Sequence, residues 1–288
     1  MTTDVIITGT GTPSARAHLA GAGVCIRHGD TILQFDAGRN TAARLAAVDV
    51  EVVDLTAVFL THYHSDHVVG LADIALSRWV TDFADELADT PLQLVAPRGH
   101  TLSFCERLHD IWDNDLDVRA RHANRSADPR VDVIGFDVPD APTEIWSNDD
   151  VRVVAGQVRH EPVEGAVGYR VETPDGVVVI SGDTRVCPEM ADLSAGADVV
   201  IYEAMRTKWV LECSPASEHF IVEYHADTVE IGAQMAELSI PTVMLTHLIP
   251  YLSEPGDKQR FEEEVRSGGY AGELIVCEDL QSIVLEAG

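Results

Sequence analysis

Short apolar runs separated by turn residues dominate the hydrophobic pattern of this chain. Residues 5–7, 23–26, 31–35 and 57–60 are such runs, each bounded by glycine, aspartate or other turn residues. That pattern predicts β-strands. A second set follows at 151–155, 166–171, 177–180, 199–202, 242–245 and 274–276. Pro174-Asp175-Gly176 predicts a turn that joins two of these into a hairpin. Helices are expected over 39–47, 68–80 and 228–238. In the last, Ile231, Met235 and Leu238 share a face, Asp227 is placed to cap the N-terminus with Glu230 at the reciprocal position, and Pro241 bars extension. Two strand-rich halves with interleaved helices predict an α/β fold. Over 97–150 the pattern gives way to Asp, Arg and His around Trp112 and Trp146. This stretch reads as an insertion, a lid or dimer contact, on one domain spanning 1–288.

Composition narrows the class. With 45% hydrophobic residues in 288, the chain can bury a substantial core. It lacks a run of about 18 apolar residues that would span a membrane. Met1-Thr2-Thr3-Asp4 does not open a signal peptide, so a cytoplasmic address is expected. Five scattered cysteines without CxxC spacing argue against a disulfide framework and a cysteine zinc site; they read as buried thiols. The net charge is −28, and Lys208 and Lys258 are the only lysines. Such a field repels phosphate backbones, which disfavours extended nucleic-acid contact and favours a small-molecule substrate.

The segment Thr61-His62-Tyr63-His64-Ser65-Asp66-His67 follows an apolar strand and leads into a helical stretch. Imidazole nitrogens suit zinc, and a carboxylate adds charge compensation. Four candidate ligands within six residues cannot converge on one ion without strain, but on a loop they can divide between two. Three further candidates each follow a strand: His160 after 151–158, Asp183 in Ser181-Gly182-Asp183-Thr184, and His247 after 242–245. A lone histidine at a strand end is more often structural. Three such positions beside a dense motif point to ligation. His100, His109 and His122 are spread along a polar stretch and read as solvated.

The order HxHxDH, His, Gly-Asp-Thr, Thr-His resembles the metallo-β-lactamase superfamily over nearly the whole chain. The resemblance implies a four-layered αββα sandwich with two metal ions at one edge, Zn²⁺ with Mn²⁺ or Fe as alternatives. It implies that His62, His64 and His160 hold one ion, that Asp66, His67 and His247 hold the other, and that Asp183 bridges both. Gly9-Thr10-Gly11-Thr12-Pro13, Phe35-Asp36-Ala37-Gly38, Tyr202-Glu203-Ala204 and His225-Ala226-Asp227-Thr228 are similar to motifs of ribonuclease Z and its arylsulfatase-like relatives. That likeness implies that His225 assists catalysis and Glu203 orients it. The structural alternative for His225 is a helix-entry histidine satisfied by the backbone. Ribonuclease Z carries a long tRNA-clamping arm between the segments matching His160 and Asp183, which here stand only 23 residues apart.

The expected activity is therefore binuclear metal-dependent hydrolysis. A shared water, its pKa lowered toward about 7, would attack a small ester, lactone or amide, with Asp66 handling its proton. A phosphodiesterase of ribonuclease Z type and an iron-dependent oxygen-using enzyme are the alternatives. Asp36 is expected to support a ligand histidine. The family also suggests a homodimer.

Overall fold

The computed structural model describes residues 2–82, Leu87 and 90–287. Two seven-stranded sheets stack face to face. The first contains β1 (Thr3–Gly9), β2 (Gly23–His28), β3 (Thr31–Phe35), β4 (Ala57–Phe59), β5 (Leu92–Pro97), β6 (Val131–Phe136) and β14 (Ser282–Leu285), in the order β14-β1-β2-β3-β4-β5-β6. The second contains β7 (Thr143–Ser147), β8 (Arg152–Gln157), β9 (Val167–Thr173), β10 (Gly176–Ile180), β11 (Val199–Met205), β12 (Thr242–Ile249) and β13 (Glu273–Val276), in the order β13-β12-β11-β10-β9-β8-β7.

Strand alternation divides the apolar residues into layers. Val5, Ile7, Phe35, Phe59, Tyr169, Val178 and Ile201 fill the space between the sheets. On the outer face of the first sheet, Ile6, Val58, Leu60 and Leu94 pack against α1 (Thr41–Ala46), α3 (Leu71–Thr81) and α4 (His100–Glu106). On the outer face of the second, Val179, Val200 and Val243 meet α6 (Pro188–Ser194), α8 (Thr228–Glu237) and α9 (Asp257–Ser267). This is the expected αββα sandwich. The stretch 97–150 holds α4, α5 (Asp113–Ala123) and the two edge strands β6 and β7, one in each sheet. Among the described residues no helix is long and apolar enough to cross a membrane.

The topology gathers chemistry at one edge. β3, β4, β5 and β6 run parallel, as do β10, β11, β12 and β13, so their C-terminal ends deliver loops side by side. Tyr169 ties the two halves there: its ring packs on Phe35 and Phe59, and its hydroxyl donates to the Leu60 carbonyl at 2.6 Å.

Two local readings need correction. The helix expected over 68–80 begins earlier and is broken, as α2 (Ser65–Val68) and then α3. Gly70 sits at the break, donating to the Ala37 carbonyl against the Gly38 backbone, a crossing too close for any Cβ. Asp66 and His67 therefore lie on a helical turn rather than a loop. The strand expected over 242–245 continues through Ile249, and Glu203 pairs with Thr246 while Ala204 pairs with Leu248. His247 is the extra residue of that bulge, at φ 45, which turns its ring to the edge. The Asp227 cap of α8 forms as expected, accepting from Val229 N and Glu230 N.

Gly38 is a second such crossing, where an added Cβ would overlap the Asp66 carbonyl and the Gly21 backbone. Gly38→Ala should lower stability by about 1–3 kcal/mol in urea unfolding and displace the turn that carries Asp66.

Candidate metal centre

The ends of β4, β8 and β10, the bulge of β12 and the turn α2 meet in a buried pocket of imidazoles and carboxylates. One ligand-capable atom from each of His62, His64, His160 and Asp183 lies within 4.8 Å of the others. The same holds for Asp66, His67 and His247, and again for Asp183, His225 and His247. All seven residues expected as ligands converge, and His225 joins them. Apart from His64, all are buried.

Asp36 organises the first half of this cluster from a left-handed backbone position, φ 55. Its Oδ1 accepts from Thr61 N at 2.8 Å, and its Oδ2 accepts from Thr61 Oγ1 at 2.8 Å and His67 Nδ1 at 2.7 Å. Because the Thr61 hydroxyl donates to Asp36, it can only accept from His62 Nδ1, 3.0 Å away. One carboxylate thus fixes a proton on Nδ1 of both histidines and turns each Nε2 to the pocket. His160 Nδ1 donates to the Tyr224 carbonyl at 3.1 Å, with the same result. His247 departs from this scheme, since its Nδ1 is buried without a partner.

The inward atoms lack partners of their own. His62 Nε2, His67 Nε2 and Asp183 Oδ1 are buried without a hydrogen bond. Asp183 Oδ1 lies 3.3 Å from His67 Nε2, yet the contact lacks hydrogen-bond alignment. Leaving several such groups bare costs about 1–3 kcal/mol each, which a bound cation removes. The spacing also fits. His64 Nδ1 and His160 Nε2 are 3.2 Å apart, as are His247 Nε2 and Asp66 Oδ2. Donors about 2.0–2.1 Å from one tetrahedral ion would stand roughly 3.3–3.4 Å apart. Asp183 Oδ2 is 3.8 Å from both His62 Nε2 and His160 Nε2, and 3.5 Å from His247 Nε2, so it faces both groups.

Electrostatics divides the histidines. Burial pushes His62 well below the ordinary imidazole pKa, and burial likewise lowers His64 and His160, with neighbouring imidazoles adding to the effect. Burial also opposes charge on His67 and His247, but carboxylates prevail. Asp183 and Asp36 push His67 well above the ordinary value, and Asp183 with Asp66 pushes His247 to about 9. Burial raises the Asp66 and Asp183 carboxyls, yet their histidine neighbours outweigh it and hold both below the usual range.

His225 stands beside this cluster, its ring 5.4 Å from His160 and 5.5 Å from His247. Its Nδ1 is 2.8 Å from Glu203 Oε1, which also accepts from Thr184 N at 2.9 Å. The backbone-satisfied alternative is not what the structure contains; a carboxylate holds this ring. Tyr224, adjacent in sequence, packs its own ring 5.1 Å from His160 and 4.8 Å from His225. Sequence reasoning assigned no role to Thr61 or Tyr224, although each adjoins a motif histidine. Of the three histidines read as solvated, His100 is exposed, but His109 is half-buried, with its pKa lowered by burial. Four cysteines are buried; Cys213 is exposed.

Residues 3–212 match the family described as Anti-Pycsar protein Apyc1. The ribonuclease Z of Mycobacterium marinum is 32% identical over 285 residues, 99% of each chain. Among solved structures, the metallo-β-lactamase fold protein YhfI from Bacillus subtilis superimposes with a TM-score of 0.75 at 18% identity, covering 99% of this chain and 100% of that one. Zn²⁺-bound PqqB from Methylobacterium extorquens superimposes with a TM-score of 0.66 at 14% identity, covering 97% and 99%.

Two outcomes follow from the site. Asp36→Asn should lower metal affinity about 10–100-fold, read by chelator competition, with the circular dichroism spectrum unchanged. In the metal-stripped protein, the raised pKa values of His67 and His247 contribute stability that is complete below the unfolded value of 6.5 and lost as pH rises through the folded values, about 9 for His247. Urea unfolding should therefore show metal-free stability falling from pH 6.5 to 9. Bound metal should remove that fall, because it takes the place of the protons.

Proposed function

Since the chain belongs to the ribonuclease Z-like branch of the metallo-β-lactamase superfamily, within the family described as Anti-Pycsar protein Apyc1, we propose that it is a binuclear metal-dependent phosphodiesterase. The observation that carries this reading is His225, held through Nδ1 by Glu203 and grouped within 4.8 Å of Asp183 and His247. In phosphodiester cleavage the leaving alkoxide departs as the water attacks, so a positioned acid assists the bond-breaking step directly. The mycobacterial relatives named ribonuclease Z support the same preference over the ester, lactone or amide expected from sequence.

His62, His64 and His160 would hold one ion and Asp66, His67 and His247 the other, with Asp183 facing both. The nitrogen and oxygen donor set suits zinc and also accommodates manganese or iron. Ions bound there supply Lewis acidity and lower the pKa of water from 15.7 toward about 7. Asp66 accepts the proton of the attacking water. As the water oxygen bonds to phosphorus and the bond to the leaving oxygen breaks, His225 gives that oxygen its Nε2 proton. Glu203 offsets the imidazolium charge through Nδ1 and keeps the ring turned inward.

The charge of −28 and the short β9–β10 hairpin between His160 and Asp183 support a compact phosphodiester over a folded RNA. Metal-loaded protein should hydrolyse bis(p-nitrophenyl) phosphate in preference to a panel of lactones and aryl esters, and a chelator should abolish that activity. Turnover confined to the lactones would overturn the reading. His225→Ala should reduce kcat about 10²–10⁴-fold while elemental analysis still finds two metal equivalents per chain. Asp183→Asn should instead lose the metal.

A further inference from the structure

Behind the ligand cluster, between the two sheets, lies a cavity of about 20 Å³. Val24, Phe35, Ile180 and Ile201 of the inter-sheet core line one part of it, and Glu203, Thr246 and His247 line another. His62, His64, Asp66 and His160 do not line it, so it lies behind the cluster rather than within it. Its walls carry buried polar atoms that lack a hydrogen bond. Two of these, His67 Nε2 and Asp183 Oδ1, belong to the cluster. The other three are Glu203 Oε2, Thr246 Oγ1 and His247 Nδ1. An ion in the cluster would satisfy none of those three, because His247 offers its Nε2 there, 3.2 Å from Asp66 Oδ2 and 3.5 Å from Asp183 Oδ2.

We propose that this cavity is the site of one structural water that joins Glu203, Thr246 and His247, and that Thr246 is a positioning residue for the metal centre. Topology brings the three groups together. Glu203 and Thr246 are register partners on β11 and β12, and strand alternation puts them on the inner face with Ile201 and Met244. The bulge then adds His247 directly after Thr246. The chemistry matches water. A carboxylate oxygen only accepts, a hydroxyl does either, and the Nδ1 of a histidine whose Nε2 serves as a ligand donates. A water can take the His247 proton, donate to Glu203 Oε2 and make its third bond to Thr246 Oγ1. Size matches too, since a water needs roughly 10–15 Å³ of such space and typically makes about three hydrogen bonds. Glu203 thereby serves two rings. Its Oε1 already holds His225 at 2.8 Å, and its Oε2 reaches His247 through the water. His247 gains the support that Asp36 gives to His62 and His67, and the general acid and a ligand share one carboxylate.

The proposal rests on His247 being a metal ligand and not on which bond the enzyme cleaves, so its test reads the site rather than turnover. High-resolution diffraction from zinc-loaded crystals of the full chain should show one water within about 3.2 Å of Glu203 Oε2, Thr246 Oγ1 and His247 Nδ1. Thr246→Val keeps the shape of the side chain and removes its hydroxyl. It should weaken one of the two zinc equivalents at least about tenfold in chelator competition, leaving the other and the circular dichroism spectrum unchanged. Thr246→Ser should restore wild-type affinity. A wild-type crystal without that water, or with Glu203 bonded directly to His247 in its place, would overturn the proposal. So would a Thr246→Val protein that holds both equivalents as tightly as wild type.

Discussion

The geometry of the site rests on the Asp36 carboxylate. From a single left-handed residue at the end of β3 it reaches the backbone and hydroxyl of Thr61 and the ring of His67. Through Thr61 it also sets the proton on His62. Two rings that belong to different clusters thereby receive their orientation from one carboxylate. Because these bonds lie in a buried, low-dielectric setting, each is stronger than it would be in water, and losing any one leaves the others strained. The glycine crossings at Gly21, Gly38 and Gly70 serve the same arrangement by letting the backbone behind Asp36 close onto the turn carrying Asp66.

Much of this is legible in the sequence, for identifiable physical reasons. Parallel strands buried on both faces read as continuous apolar runs, so β10, β11 and β12 and the residues at their ends stand out. Asp183 and His247 are placeable at a sheet edge for that reason, since each closes or follows one of those runs. The dense HxHxDH segment identifies itself, because four metal-suited side chains within six residues have few other uses.

Other features leave no periodic trace. The bulge at His247 depends on a one-residue slip against β11, which neither strand encodes alone. The break at Gly70 arises from its contact with Gly38, a tertiary event. β6 and β7, edge strands that are at most half-buried, lack the strong in-out alternation that a fully covered strand acquires, so the stretch 97–150 looks formless in sequence. Thr61 escapes notice for a simpler reason: a threonine beside a motif histidine has no signature until its acceptor is known.

The division of donors between the halves has a further consequence. His62, His64, Asp66 and His67 come from the segment that follows β4 in the first sheet, and His160, Asp183 and His247 from the second sheet's strand ends and the bulge of β12. During synthesis the earlier set emerges with its partners still unmade. His247 appears 180 residues after His67, so the cluster closes only when the second sheet is almost complete. The buried clasp from Tyr169 to Leu60 joins the two halves at that edge by a contact that involves none of the clustered side chains.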